Sequence, residues 1–346
     1  MQWLEDDHSL VRAGHSNAAG HQNVSALVIR QKNWPRARFD RRGSTGSELG
    51  DDMKLIVTGA NGFIGQHLVS RLSARHEIFA PMREPNIATA CEAVSTIEWD
   101  LAGQLNVRTL PETIDVIVHL AQANVPFPEA ANELFAVNTI ATQQLLDYAR
   151  RAGARQFILA STGDVYGRRR GLSTETDAAQ PADYYAVTKY AAELVAQAYS
   201  GFLNPCIMRL YQPYGPGQSG RLVPKLAELI RRREAVRLHK GDRPRLTPLY
   251  VDDVTCAIER AIDCCYAGVV NIAGNRIISM RELAEAIGQT LETEPVFEET
   301  GEDSADLMGG NGLMKQVLGS WNMMSLADGL SRTFNGEEAI AWQVDD

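Results

Sequence analysis

Two residues in the stretch YYAVTK (184–189) could carry chemistry together: Tyr185 and Lys189, four positions apart. On a helix that spacing puts both on one face, about a turn from each other. A phenol ionises near pH ~10 in water, too high for a general base at neutral pH, and a neighbouring ammonium favours the phenolate. The pair can therefore form a base that removes a proton from a substrate hydroxyl. Taken alone, a Tyr–Lys pair is also an ordinary feature of an exposed helix, so its meaning depends on what else the chain supplies.

A second constellation supplies it. TGANGFIG (58–65) follows the short apolar run KLIV (54–57) and sets Gly59, Gly62 and Gly65 at three-residue intervals. Where a first parallel strand must turn sharply into a helix, glycine takes the positive φ values and leaves no Cβ to block a pyrophosphate. The helix N-terminus then offers unpaired N–H groups and a partial positive charge to the phosphates. Gly59 is expected to make the turn, Gly62 to permit close approach, and Gly65 to let the helix lie tightly on the strand. Strand, triplet and amphipathic helix in this order imply a dinucleotide site. The positive ring of an oxidised nicotinamide would further favour the Tyr185 phenolate.

The elements that must position these groups are legible as alternating periods. KLIVT (54–58), EIFA (77–80), TIEW (96–99), DVIVHL (115–120), QFILAS (156–161) and CIMRL (206–210) read as buried strands. Helical patterns lie between them at 63–74, with Ile64, Leu68 and Leu72 at four-residue spacing, at 132–151 and at 183–200. Alternation of this kind implies an α/β fold, a doubly wound parallel sheet covered on both faces. Residues 1–52 are polar, include RRGSTGSELGDD, and read as a mobile extension upstream of a compact domain that begins at Met53.

Composition narrows the function classes. The chain has 346 residues, 45% hydrophobic and 22% charged, enough for a sizeable core. A formal charge of −9 argues against a general nucleic-acid binder. No run approaches the ~18 apolar residues of a membrane span, and the N-terminus lacks the order of a secretory signal, so no membrane partner and a cytoplasmic location are expected. The five cysteines are scattered without a metal-type CxxC pair, which points to reduced thiols and no metal site.

TGANGFIG resembles the fingerprint of the extended short-chain dehydrogenase/reductases, in particular the nucleotide-sugar epimerases and dehydratases. Further motifs follow in family order from about Met53 to about Thr333: WDLAG (99–103), HLAQ (119–122), AVNTIATQQLL (136–146), ASTGDVYG (160–167), YYAVTK (184–189), RLYQPYGPGQ (209–218), PLYVDDV (248–254) and VVNIAG (269–274). The resemblance implies a Rossmann-type domain at 53–205. A smaller substrate-binding lobe, mainly 206–333, would interleave with it, and 334–346 would form a tail. It further implies a homodimer formed through the helices at 132–151 and 183–200.

For the site, the resemblance implies Tyr185 as base and Lys189 as a group that also holds the cofactor ribose. Aligned on VYG, Thr162 takes the place of the hydroxyl that hydrogen-bonds the reacting group. Ser161 is the fallback, and strand geometry should turn it the other way. The cofactor side comprises the three glycines with Asn61, Phe63 and Ile64, then Asp100 and Leu101 near the adenine, Ala121 beside the ribose and phosphate path, and Asn138. Met82 stands where an acidic residue usually selects NAD, and Arg83 follows, as in NADP binders. NAD is favoured, with NADP as the alternative and Arg83 lying along the adenine. Gln212 replaces the asparagine that holds a substrate diphosphate in many such enzymes. Arg221, Arg243 and Arg245 are candidates for a phosphate clamp, although Leu246 aligns best with the family's usual arginine. Dehydratases place Asp-Glu after the threonine; here Gly163 and Asp164 follow it, with Asp164 counted on the substrate side. The expected activity is thus NAD(P)-dependent epimerisation of a nucleotide sugar by transient oxidation at C4. Reduction, dehydrogenation or dehydration in the same family, and a non-catalytic dinucleotide sensor, are the alternatives.

Overall fold

The computed structural model describes residues 52–84 and 94–336. The expected extension, Asp52 apart, and the last ten residues of the tail lie outside the described residues, as does Cys91. The six apolar runs become strands of a parallel sheet that a seventh strand completes: β1 Lys54–Thr58, β2 Glu77–Met82, β3 Val94–Glu98, β4 Val116–His119, β5 Gln156–Thr162, β6 Asn204–Leu210 and, unmarked as a run, β7 Gly268–Ile272. Their order in the sheet is β7-β6-β5-β4-β1-β2-β3. The order reverses between β1 and β4, which opens a crevice at the carboxyl ends of those strands.

Side chains alternate across the sheet and bury on both faces, as a parallel sheet requires. Leu55 and Val57 of β1 join one core with Leu68 and Leu72 of α1 (Phe63–Leu72) and Val254 and Ile258 of a helix at Val251–Asp263. Ile56 points the other way and joins Leu145, Leu146 and Ala149, with Ala192 and Ala196. Those residues belong to α2 and α3. The helix expected at 132–151 is an α2 in three pieces: α-helical at Ala131–Phe135, π-helical at Ala136–Ile140 and α-helical again at Ala141–Arg151. α3 is Tyr184–Ala198, and the Asp183 carboxylate caps it by accepting from the Ala186 N–H at 2.8 Å.

A third core lies apart from the sheet. It joins Val223, Leu226 and Ile230 of α4 (Leu222–Arg231), Leu283 and Ile287 of the helix Met280–Thr290, and Leu330. The second of these helices starts in a reciprocal capping box between Ser279 and Glu282. No helix among the described residues is long and apolar enough to cross a membrane.

The turn from β1 into α1 is fixed by its glycines. Gly59 has φ +67°, and a Cβ there would meet the Ala121 nitrogen at 2.8 Å; a Cβ on Gly65 would stand 1.9 Å from the Gly59 carbonyl oxygen. The second contact is backbone against backbone, so no side-chain rotation relieves it. Gly65→Ala is expected to lower the unfolding free energy by about 2–3 kcal/mol. Gly201→Ala, at a site with negative φ and open space around the added atom, should stay within about 0.5 kcal/mol of wild type. Urea denaturation of both variants checks the contrast, and equal effects would mean that α1 slides freely on the turn.

Candidate active site

A cavity of about 1030 Å³ runs along the carboxyl ends of the central strands. That is at the top of the ~300–1,000 Å³ range of single-ligand pockets, which suits two ligands side by side. Of the residues nominated from sequence, all line it except Asn138, Lys189, Arg243 and Arg245. At one end stands the glycine turn. Gly62 is the extended N-cap of α1 and no side chain caps the helix, so the first N–H groups of α1 remain available to an anion. Arg83 and Asp100 line the same end, where the buried Met82 closes β2.

Thr162 closes β5. Its hydroxyl donates to the Asp164 carboxylate at 2.9 Å and accepts from the Asp164 N–H at 3.2 Å. Burial, and secondarily the charge of Asp183, hold the Asp164 carboxyl above its usual range against that hydrogen bond. Ser161, one residue earlier, donates instead to Glu193 at 2.5 Å. Strand alternation thus separates the two hydroxyls.

The Tyr185 hydroxyl donates to the Gln122 side-chain oxygen at 2.7 Å. Burial, followed by the carboxylate of Asp164, raises its pKa above the ordinary phenol value, while the Arg221 guanidinium opposes the rise. Spacing alone suggests Lys189 as the cation for Tyr185, yet Lys189 is only 1% exposed and lies behind the cavity wall. Burial brings its pKa down to about 8, against the attraction of Glu193 one turn further along α3. Glu193 is itself fully buried in an ion pair with Arg209 at 2.6 Å, and Arg209 lies over the Tyr166 ring at 4.5 Å. Neither Glu193 nor Arg209 was singled out from the sequence; an acidic residue four after Lys189 on the same face was the available signal.

Asn138 sits in the π-helical piece of α2. Its amide accepts from the Ala123 N–H at 2.9 Å, donates to the Ala123 carbonyl at 3.0 Å and donates to the Thr188 hydroxyl at 3.0 Å. It therefore holds the loop after β4 against α3. Behind it, His119 Nε2 lies 3.1 Å from the Thr142 hydroxyl, which donates to the Asn138 carbonyl, and Nδ1 lies 2.6 Å from the Thr58 hydroxyl. That arrangement assigns the ring proton to Nε2. Burial, then the charge of Lys189, takes the His119 pKa down to about 3, so the ring is neutral.

At the opposite end of the cavity, Gln212 adopts φ +44° and Arg221 is the N-cap of α4. Arg245 is elsewhere. It donates to Asp306 at 2.9 Å, Arg243 donates to the same carboxylate at 2.5 Å, and despite burial these bonds hold the Asp306 pKa at about 2. Among the described residues no cluster of metal-ligating side chains is present.

This crevice, with its glycine turn, uncapped helix and tyrosine wall, defines a dinucleotide-dependent α/β enzyme class. The chain belongs to the NAD dependent epimerase/dehydratase family, whose model matches residues 55–273. It is 30% identical to a dTDP-glucose 4,6-dehydratase of Streptomyces griseus over 319 residues, 83% of this chain and 93% of that protein. It is 31% identical to a GDP-6-deoxy-D-mannose reductase of Pseudomonas aeruginosa over 258 residues, 70% of this chain and 81% of the other. Among solved structures, MoeE5 in complex with UDP-glucuronic acid and NAD is similar with a TM-score of 0.72 and 27% identity, over 82% of this chain and 98% of that one. The similarities span several reactions and select none.

Lys189 makes stability depend on pH. Its pKa is about 8 in the fold against 10.5 in the unfolded chain. Between those values the unfolded chain binds the extra proton, so the lysine's contribution is complete above about 10.5 and is lost as pH falls through about 8. Lys189→Met should therefore be more stable than wild type near neutral pH by about 3 kcal/mol. The gap should close across that alkaline window, as read by urea denaturation at about pH 7 and about pH 10. A gap that stays constant would show that Lys189 does not titrate there.

Proposed function

We propose that the protein is a nucleotide-sugar 4-epimerase that retains NAD. The observation that carries this reading is the single cavity that joins the glycine turn to Tyr185, Thr162, Gln212 and Arg221. Bound NAD would accept and return a hydride at the sugar's C4 carbon. The uncapped N-terminus of α1 and the glycine turn at Gly59 and Gly62, which lines the cavity, fit its pyrophosphate. Tyr185 removes the C4 hydroxyl proton and later restores it, and Thr162 orients that hydroxyl. Arg221 and the N-terminus of α4 receive the substrate's diphosphate, with the Gln212 amide beside them. Gly163 gives no acid where water would be eliminated. In the related MoeE5 structure NAD and UDP-glucuronic acid are bound together, which supports the cofactor and the substrate class.

One observation favours a second reading, dehydration. The Asp164 carboxyl lines the same cavity, has its pKa raised by burial and already engages Thr162, so it is placed to move a second proton. The dehydratase from Streptomyces griseus is among the relatives. A dimer is proposed through α2 and α3, whose Phe135, Ile140, Val187 and Leu194 are large apolar side chains left exposed.

Denaturing the purified protein and weighing the released nucleotide by mass spectrometry is expected to give near-stoichiometric NAD. An empty site with a later preference for NADP would favour a reductase. With UDP-glucuronic acid or UDP-glucose, NMR of the products should show an epimer with no net redox change; loss of water would favour the second reading. Tyr185→Phe should lower turnover by at least about 10³-fold while NAD stays bound, and full activity in that variant would remove the proposed base.

A further inference from the structure

The partner of the Tyr185 hydroxyl is an amide, and that amide is held in place from both sides. Before Gln122, the Ala121 N–H donates to the Thr58 hydroxyl at 3.2 Å. After it, Ala123 is clamped at both its N–H and its carbonyl by Asn138. Thr58 and Asn138 are buried and belong to β1 and α2. The same Asn138 amide donates to Thr188, whose hydroxyl donates to the Tyr185 carbonyl at 2.8 Å. One buried side chain therefore registers the backbone of both partners, which brings together residues 63 positions apart in sequence. The Gln122 side chain lines the cavity and, among the described residues, its bond to Tyr185 is its sole hydrogen bond.

A primary amide is suited to this place because it can serve either state of a phenol: its oxygen accepts from the protonated form, and its NH₂ donates to the phenolate after a flip about the terminal torsion. A leucine of similar size offers neither, and a glutamate offers only acceptors. Resting on the reading of Tyr185 as the base, we propose that Gln122 is a positioning residue that holds the Tyr185 oxygen in both protonation states. It moves no proton itself. Asp164, Asp183 and Arg221 face the phenol from the turn after β5, the cap of α3 and the cap of α4, and none of the three is hydrogen-bonded to Gln122 among the described residues.

The test uses the full chain loaded with NAD and labelled with ¹³C at tyrosine Cζ, with the Tyr185 resonance identified by its absence in Tyr185→Phe. The lifetime of the hydroxyl proton is read near neutral pH from the deuterium isotope effect on that carbon. Gln122→Leu is expected to shorten the lifetime about tenfold, and Gln122→Glu, which keeps an acceptor, to restore most of it. Equal lifetimes in wild type and Gln122→Leu would overturn the proposal. So would failure of the glutamate to restore it while both variants melt at the wild-type temperature. In turnover of UDP-glucuronic acid, Gln122→Leu should raise the acidic limb of the kcat/KM profile by about one pH unit, with the profile of Gln122→Glu higher still. An unmoved limb would also overturn the proposal. Full activity in Tyr185→Phe would remove the base from the proposed function yet leave the proton lifetimes standing, so the two readings fail separately.

Discussion

The arrangement at the carboxyl end of the sheet depends on one buried amide. Asn138 ties the loop after β4 to α3, and through Thr142 and His119 it reaches the Thr58 hydroxyl at the end of β1. Four elements that the hydrophobic cores hold only in rough register are thereby fixed at hydrogen-bond precision. Apolar contacts tolerate sliding by fractions of an ångström, whereas a donor and acceptor out of contact with water each lose about 1–3 kcal/mol when separated. The glycine turn, the cavity wall and the tyrosine inherit their relative positions from this web.

Behind the wall, charge is buried at some cost to stability. Glu193 and Arg209 neutralise each other, yet one guanidinium nitrogen of Arg209 has no partner within the described structure. Removing either member of such a pair typically costs about 3–5 kcal/mol, because it strands the other. Lys189 shares this interior. Glu193 thus serves two cations, pairing with one at contact distance and sustaining the charge of the other through space. With Lys189 this deep, the cation that acts on Tyr185 from the cavity lining is Arg221, so an anion bound there would change the field at the phenol.

Much of this was legible in the sequence, for reasons that differ by element. Parallel strands buried on both faces need uninterrupted apolar runs, and six of the seven were marked by them. The glycine triplet was legible because backbone contact at Gly65 admits no side chain. Tyr185 and Lys189 were found by helical spacing, but spacing gives a shared face and says nothing of depth. Gln122 was passed over although it follows Ala121 in HLAQ, because a polar residue in a loop looks ordinary until folding brings the tyrosine to it. Arg245 was a candidate for the phosphate clamp, and its bond to Asp306 was not legible because that partner lies 61 positions later in a segment with no recognisable motif. The π-helical piece of α2 was invisible because apolar periodicity continues on either side of it.

That π-helical piece amounts to one residue added to an α-helix. Each residue of an α-helix turns the chain by about 100°, so the side chains before the insertion and those after it no longer share a single stripe. Upstream, Phe135 is turned to solvent; downstream, Leu145, Leu146 and Ala149 are seated against the sheet. A regular helix would have to trade the direction of Asn138 against the seating of those leucines. With the extra residue, the polar clamp and the apolar stripe can be adjusted independently, and a change to the sheet-facing half need not rotate the site-facing half.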